Sequence, residues 1–232
     1  MNYAIEVNNF QMNKIDEDDV VEAYISGSED YIIPLVFPDY LIRIDILDST
    51  IRVPLLGHAG ALIINGKSGQ TKYYEYGRYP PGDLGRTRKV SINNVKITSS
   101  KMIEISSFKK LLRQISANSG QRGNIRGAIL RKENIYDISV EYCEQKIREN
   151  DDPERKPYSI YSNSCMTFVD DLLRYLGFVT PGLTRISIDI ANTVKNYIFS
   201  IIPNTYMQEI QFYFSARDLH YYYVSDRLEV DY

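Results

Sequence analysis

The chain has 232 residues, is 44% hydrophobic and carries a formal net charge of −3 with both signs interspersed. That length fits a single domain, and the apolar fraction is enough for a packed core, which excludes a disordered chain. The charge excludes the broad basic field that nucleic-acid binding needs, although Arg78, Arg86, Arg88 and Lys89 are close enough in sequence to form a local basic patch. The 20 tyrosines and the absence of tryptophan read most simply as compositional bias. Cys143 and Cys165 are too few for a disulfide framework. The first residues, MNYAIEVNNFQMNKIDEDD, have neither a basic region nor an apolar run, so no signal peptide is expected. No run approaches the roughly 18 apolar residues of a membrane span.

In chain order, IDEDDVVEAY reads as a helix start or an exposed turn. YLIRIDIL (40–47) alternates apolar and polar residues, the pattern of a half-buried strand. HAGALIIN and TKYYEYG flank the turn GKSGQ and read as a β-hairpin. RYPPGDLGRTR is a loop by its Pro and Gly content, and RKVSINNVKI a strand. SSFKKLLRQISANSG has helical spacing, with Phe108, Leu111, Leu112 and Ile115 on one face, Ser106 or Ser107 as its cap and Gly120 as its end. GAILR is a short strand, and ENIYDISVEYCEQKIREN a helix that carries Cys143. NDDPERKP is a charged loop. NSCMTFVDDLLRYLGF is a helix with Cys165 in its first turn, capped by Asn163 or Ser164 and stopped by Gly177; Phe168, Leu172 and Leu176 form its buried stripe. TRISIDIANTVKNYIFSII reads as a further helix. The tail, TYMQEIQFYF with HYYYVSDRLEV, reads as β-rich. The whole is α+β, with helices outside an antiparallel sheet.

A helix N-terminus and a neighbouring imidazole both favour a thiolate, the nucleophilic form of cysteine. Cys165 is placed for the first effect. Of the two histidines, His58 opens a strand between Gly57 and Ala59, where small neighbours leave room for a second side chain or a substrate. A cysteine at a helix start facing a histidine on a sheet is the geometry of papain-like hydrolysis. With the hairpin turn centred on Lys67 and Ser68, Gly77 lies opposite His58. Glu75 is then diagonal to the imidazole on the same face, where it would fix the tautomer and stabilise imidazolium. Tyr73 shares that face and is the alternative partner or a substrate contact. Glu75 could equally be a solvated strand charge. Arg78 could bind a substrate carboxylate through bidentate geometry or form an ordinary surface ion pair. The run YYEYGRYPPG is either a recognition loop or a tight turn. Cys143 and His220 read as structural, and Asp170 and Asp171 as the solvated side of the Cys165 helix. No cluster has metal-ligand spacing, no glycine pattern fits a nucleotide fingerprint, and no cofactor is expected.

At these residues the chain resembles the circularly permuted branch of the papain-like superfamily. That branch is related to NlpC-type cell-wall peptidases and includes lecithin retinol acyltransferase-like enzymes. Its Asn-Cys-x-x-Phe-Val motif is matched by Cys165, Phe168 and Val169, with Ser164 standing between Asn163 and the cysteine. Its Gly-His pair is matched by Gly57 and His58. A second histidine on the returning strand is absent, so Glu75 would take its place. The resemblance implies an antiparallel sheet packed against a nucleophile-bearing helix. It also implies a single domain over 1–232, with a catalytic core at about 40–180 and elaborations at both ends. The run GHAGALIINGKSGQTKYYEYGRY is also similar to toxin domains of type VI secretion that degrade the cell wall. What this implies is amide cleavage in peptidoglycan stem peptides, a secretion-apparatus component and an immunity protein as partners, and delivery to the periplasm of a target cell. A lipid acyltransferase or thioesterase on the same scaffold, and a non-catalytic binding module with a Tyr-rich contact surface, are the alternatives.

Overall fold

The eight-residue run DYIIPLVF is apolar at almost every position and is buried on both sides as strand β1 (Asp30–Phe37). A strand with such a sequence belongs in the middle of a sheet. In the computed structural model, which describes residues 29–46, 49–53, 57–79, 84–99, 102–159, 162–180, 203–214 and 216–231, β1 is the central strand. Around it run β4 (His58–Ile64), β5 (Thr71–Gly77), β6 (Arg86–Val90), β7 (Ile125–Lys132), β8 (Arg217–Tyr222) and β9 (Arg227–Asp231). Their order across the sheet is β6-β5-β4-β1-β7-β8-β9, and every neighbouring pair is antiparallel. β2 (Ile42–Ile46) and β3 (Ser49–Val53) form a separate two-stranded ribbon.

Alternation along the strands divides the core in two. Even positions of β1 (Ile32, Val36) and odd positions of β4 (Ala59, Ala61, Ile63) face one cluster; Ile33, Leu35, Phe37, Leu62 and Ile64 face the other. Helix α1 (Ile105–Ser119) covers the second face with Phe108, Leu111, Leu112 and Ile115. The first face is covered by α2 (Tyr136–Arg148), α3 (Cys165–Tyr175) and α4 (Pro203–Phe214). The layers are therefore helix, antiparallel sheet, helices. α3 is anchored by Met166, Phe168, Val169, Leu172 and Leu173, all buried; each such side chain contributes roughly 1.5–3 kcal/mol on burial.

Two polar devices tie the layers together. Asp30 is buried, and its carboxylate accepts from the Gly66 N–H in the β4–β5 turn (3.1 Å) and the Tyr136 N–H at the start of α2 (3.0 Å). Asn150 reads both backbone groups of Thr87 on edge strand β6: its Oδ1 accepts from the Thr87 N–H at 3.0 Å and its Nδ2 donates to the Thr87 carbonyl at 2.8 Å.

The hairpin, α1, the Cys143 helix and the Cys165 helix stand where the sequence puts them, and the HYYYVSDRLEV part of the tail is β-structured as expected. Four readings change. TYMQEIQFYF is helical, within α4, with Pro203 at its first position and Met207 and Ile210 buried against the sheet; Gln211 donates to the Gly127 carbonyl at 2.9 Å. The strand expected over 88–97 ends at Val90, after which the chain turns away and the Val95 N–H donates to Thr71 Oγ1. α1 begins at Ile105 with Glu104 before it, and no side chain caps it. The sheet also draws its central strand and its β8–β9 edge from outside 40–180. The readings on 15–24 and 184–202 lie outside the described residues, as do the side chains of 42–46.

Candidate active site

The β4–β5 turn fixes the register. Asn65 Oδ1 accepts from the Lys67 and Ser68 N–H groups at 3.0 and 2.9 Å, and the strands then pair Ile64 with Thr71 and Gly60 with Glu75. That places Glu75 diagonal to His58 on one face of the sheet. Gly60, between them, is a space requirement. A Cβ there would lie 2.2 Å from Tyr73 Oη and 2.7 Å from the Tyr74 carbonyl oxygen. Gly57 has φ +67°, a left-handed conformation that glycine adopts without strain, and it delivers the chain into β4 at His58.

α3 brings the thiol. Ser164 is its N-cap in a reciprocal capping box: Ser164 Oγ accepts from the Thr167 N–H at 3.5 Å, and the Ser164 N–H donates to Thr167 Oγ1 at 2.7 Å. Thr167 serves here in the place usually held by Glu or Gln. Cys165 is thus the first residue of the helix, where the N–H has no intrahelical acceptor and the helix dipole is positive. Asn163 braces the approach: its Nδ2 donates to Tyr76 Oη at 2.8 Å and to the Lys156 and Pro157 carbonyls, both at 3.0 Å.

Cys165 lies close enough to His58 for thiol and imidazole to interact. The other side of the imidazole faces a carboxylate: Nε2 is 3.2 Å from Glu75 Oε2. Tyr79 Oη lies 3.3 Å from the same nitrogen and donates to Glu75 Oε1 at 2.8 Å. With Nε2 committed to Glu75 and Tyr79, Nδ1 is the nitrogen open to the thiol. Glu75 has no exposed surface. Its Oε1 also accepts from Arg88 Nε and Nη2, and the Arg88 guanidinium lies 4.2 Å from the centre of the Tyr79 ring. Tyr73 Oη sits in the slot beneath Gly60 and interacts with the same carboxylate. Neither Tyr73 Oη nor Glu75 Oε2 receives a well-aligned hydrogen bond, so the His58–Glu75 contact is an ion pair rather than a straight hydrogen bond. Tyr40 and Phe37 pack on the imidazole, with ring centres 5.0 and 6.0 Å away.

The electrostatics follow. Burial of His58 works against protonation, but its interactions with Cys165 and Glu75 outweigh it, raising its pKa to about 10. Burial would raise the Glu75 pKa, yet the ion pair with His58, with Arg88 and Tyr79, lowers it to about 2. The arrangement therefore sustains an imidazolium between two acids. Chemically, a proton can pass from the Cys165 sulfur to Nδ1 while Glu75 steadies the resulting charge.

Cys165 and His58 are only 4% and 7% exposed, so the pair is nearly covered rather than lying in an open cleft. Tyr73, expected as a possible substrate contact, is fully buried behind the site. Arg78 is exposed, on the side of Tyr158, whose hydroxyl is close enough to Cys165 for their charges to interact. Arg88 and Tyr79 went unrecognised as partners of Glu75. The basic residue opposite Glu75 follows from the β5–β6 pairing of Glu75 with Arg88, which the intervening Pro- and Gly-rich loop hides in the sequence. Cys143 is buried in the helix-covered core, and burial pushes its thiol pKa far up. Among the described residues no group of acidic, His and Cys side chains could hold a metal, and no helix is long and apolar enough to cross a membrane.

The chain has known relatives. The family model "Type VI secretion system effector TseH-like" matches residues 32–176, a span that holds His58, Glu75 and Cys165. The crystal structure of the type VI secretion system effector TseH is similar at 36% identity and a TM-score of 0.71, covering 89% of this chain and 100% of that one. No curated protein matches. The chain belongs to the TseH-like family of type VI secretion system effectors.

Proposed function

We propose that this effector is a cysteine hydrolase of permuted papain-like type that cleaves amide bonds in peptidoglycan stem peptides. The observation that carries the reading is Cys165 at the first position of α3, beside His58, with buried Glu75 behind the imidazole. His58 takes the thiol proton as the sulfur attacks the carbonyl carbon. The oxyanion forms beside the Cys165 N–H. The protonated imidazole then returns its proton to the leaving amine, leaving a thioester. Water, deprotonated by His58, cleaves the thioester and releases the acid with the thiol restored. Tyr79 and Arg88 hold Glu75 in place throughout. Family membership supports an antibacterial role, with a secretion-apparatus component and a cognate immunity protein as partners and the target cell's periplasm as the place of action.

Periplasmic expression in a bacterium tests this. The wild-type chain is expected to lyse or round cells, and Cys165→Ala to remove that toxicity while folding normally. Purified muropeptides and phospholipids, incubated separately with the protein, distinguish the substrates by product mass. Equal toxicity of wild type and Cys165→Ala refutes the nucleophile, and a product from phospholipid alone moves the reading to a lipid hydrolase on the same triad.

A further inference from the structure

The polar partners of His58 do not by themselves fix how its ring is turned. Glu75 Oε2 lies 3.2 Å from Nε2 without a well-aligned hydrogen bond. Tyr79 Oη lies 3.3 Å from the same nitrogen but gives its proton to Glu75. An imidazole on its own rotates broadly about its last torsion. Two aromatic rings supply the missing restraint. Phe37, which pairs with His58 across β1 and β4, is stacked at 17° to the imidazole plane. Tyr40 lies at 37°, with ring centres 5.0 Å apart. Turning the imidazole would drive its edge into both. The Tyr40 hydroxyl is also close enough to Glu75, Arg88 and Cys165 for their charges to interact, so this one side chain borders the whole cluster.

Phe37 is fully buried within β1, whereas Tyr40 is half-buried in irregular chain beyond it and needs a hold of its own. The α1–β7 connection, residues 120–124, provides one. The Leu41 N–H donates to Gln121 Oε1 at 3.1 Å, and Gln121 Nε2 donates to the Leu41 carbonyl at 3.2 Å. On the other side of Tyr40, Asp39 Oδ2 accepts from the Asn124 N–H at 3.0 Å. The same loop packs on Phe37, since a Cβ on Gly120 would lie 2.5 Å from Phe37 Cδ1. Its shape is imposed rather than relaxed. Gln121 and Arg122 have φ of +53° and +62° in succession, a left-handed conformation that is costly for residues with a Cβ. Two bonds to α1 maintain it: the Arg122 N–H donates to the Ser116 carbonyl at 3.0 Å, and Ser116 Oγ to the Gly123 carbonyl at 2.6 Å.

We infer that Tyr40 is a positioning residue for the His58 imidazole, and that Gln121 holds Tyr40 in place. The ring keeps the imidazole turned with one nitrogen toward Glu75 and the other toward Cys165, and it keeps water off the N–H groups between them. Proton transfer from the thiol depends on that alignment. The inference rests on the proposed hydrolase reading and deepens it.

The test follows the His58 ring directly and hydrolysis separately. The chain has two histidines, so in full-length protein labelled with ¹⁵N-histidine the signal that survives His220→Gln is that of His58. Exchange of its ring N–H protons with water is expected to be slow in the wild type and at least about tenfold faster in Tyr40→Ala. Gln121→Ala should fall between them, and Tyr40→Phe, which keeps the ring, should restore the slow exchange. With purified muropeptides as substrate, Tyr40→Ala should lower kcat by roughly 10- to 100-fold, the scale of a misaligned catalytic group, with KM within about twofold of the wild type; Tyr40→Phe should recover it. Matching melting curves establish that each variant is folded. Unchanged exchange in Tyr40→Ala, or a rise in KM with kcat intact, overturns the inference, the second result making Tyr40 a substrate contact instead. Exchange in Gln121→Ala as slow as in the wild type overturns the part given to the loop. A wild-type chain that leaves muropeptides uncut while Tyr40→Ala frees the ring sinks the hydrolase reading alone, and the hold of Tyr40 on His58 stands.

Discussion

Replacing Glu75 with Gln removes one negative charge from a site with no exposed surface and leaves the size of the side chain unchanged. A carboxyl held at about 2 instead of 4.5 contributes about 3 kcal/mol to folding at neutral pH, at ~1.4 kcal/mol per tenfold change in proton affinity. Because the folded value is depressed, that stability is complete above about pH 4.5 and is lost as the pH falls toward 2. His58 has the opposite sign. Its value is raised from 6.5 to about 10, so its contribution is complete below 6.5 and is lost as the pH rises through 10. The two contributions share the His58–Glu75 ion pair and are not additive. The wild-type protein is therefore expected to be most stable between about pH 4.5 and 6.5. Urea denaturation of Glu75→Gln at pH 5.5 should show a loss of about 2–3 kcal/mol, and the acid limb between 4.5 and 2 should flatten. Hydrolysis should fall by roughly 10²- to 10⁴-fold, the scale seen when the acid behind a catalytic histidine is neutralised. An acid limb as steep in the variant as in the wild type would refute the assignment of Glu75 as the buried partner of His58.

Gly60→Ala places a methyl group against Tyr73 Oη and the Tyr74 carbonyl; it should cost about 1–3 kcal/mol in urea denaturation and lower hydrolysis by displacing Tyr73 toward Glu75. Asp30→Ala orphans the Gly66 and Tyr136 N–H groups; it should cost about 2–3 kcal/mol in the same measurement, and Asp30→Asn, which keeps one acceptor, should cost less. Ser164→Ala breaks the capping box, with a loss of about 1 kcal/mol, and should slow alkylation of Cys165 by loosening the first turn of α3.

What the sequence reveals depends on how local its cause is. The β4–β5 register is legible because the Asn65 turn sets it within a few residues, and with it comes the diagonal relation of His58 to Glu75. The Cys165 helix is legible because a cap, a stop and a buried stripe agree. β1 is not, since a strand buried on both faces shows no alternation, and Pro34 within the run argues against a central strand. In its pairing with β7 the register passes from Ile32–Leu130 to Leu35–Gly127, leaving Pro34 out on that side. TYMQEIQFYF has the composition of a strand, and only packing of Met207 and Ile210 on the sheet makes it a helix. The support behind Glu75 is hidden for a further reason: Arg88 reaches the carboxylate only through the pairing of β6 with β5, and Tyr79 lies past the end of β5.

The hold of Asn150 on Thr87 has a consequence for how copies of this protein meet. A strand at the edge of a sheet offers its N–H and C=O groups to any passing chain, and long antiparallel sheets tend to grow by that route into dimers and fibres. Here one side-chain amide occupies both groups of Thr87 as a neighbouring strand would. Of the basic residues on the same five-residue strand, Arg88 is paired with Glu75 and Lys89 with Glu144, so their charges are spent within the fold. The β6 side of the sheet is in this sense terminated at Thr87, by one asparagine, against the polymerisation that its hydrogen-bonding pattern would otherwise invite.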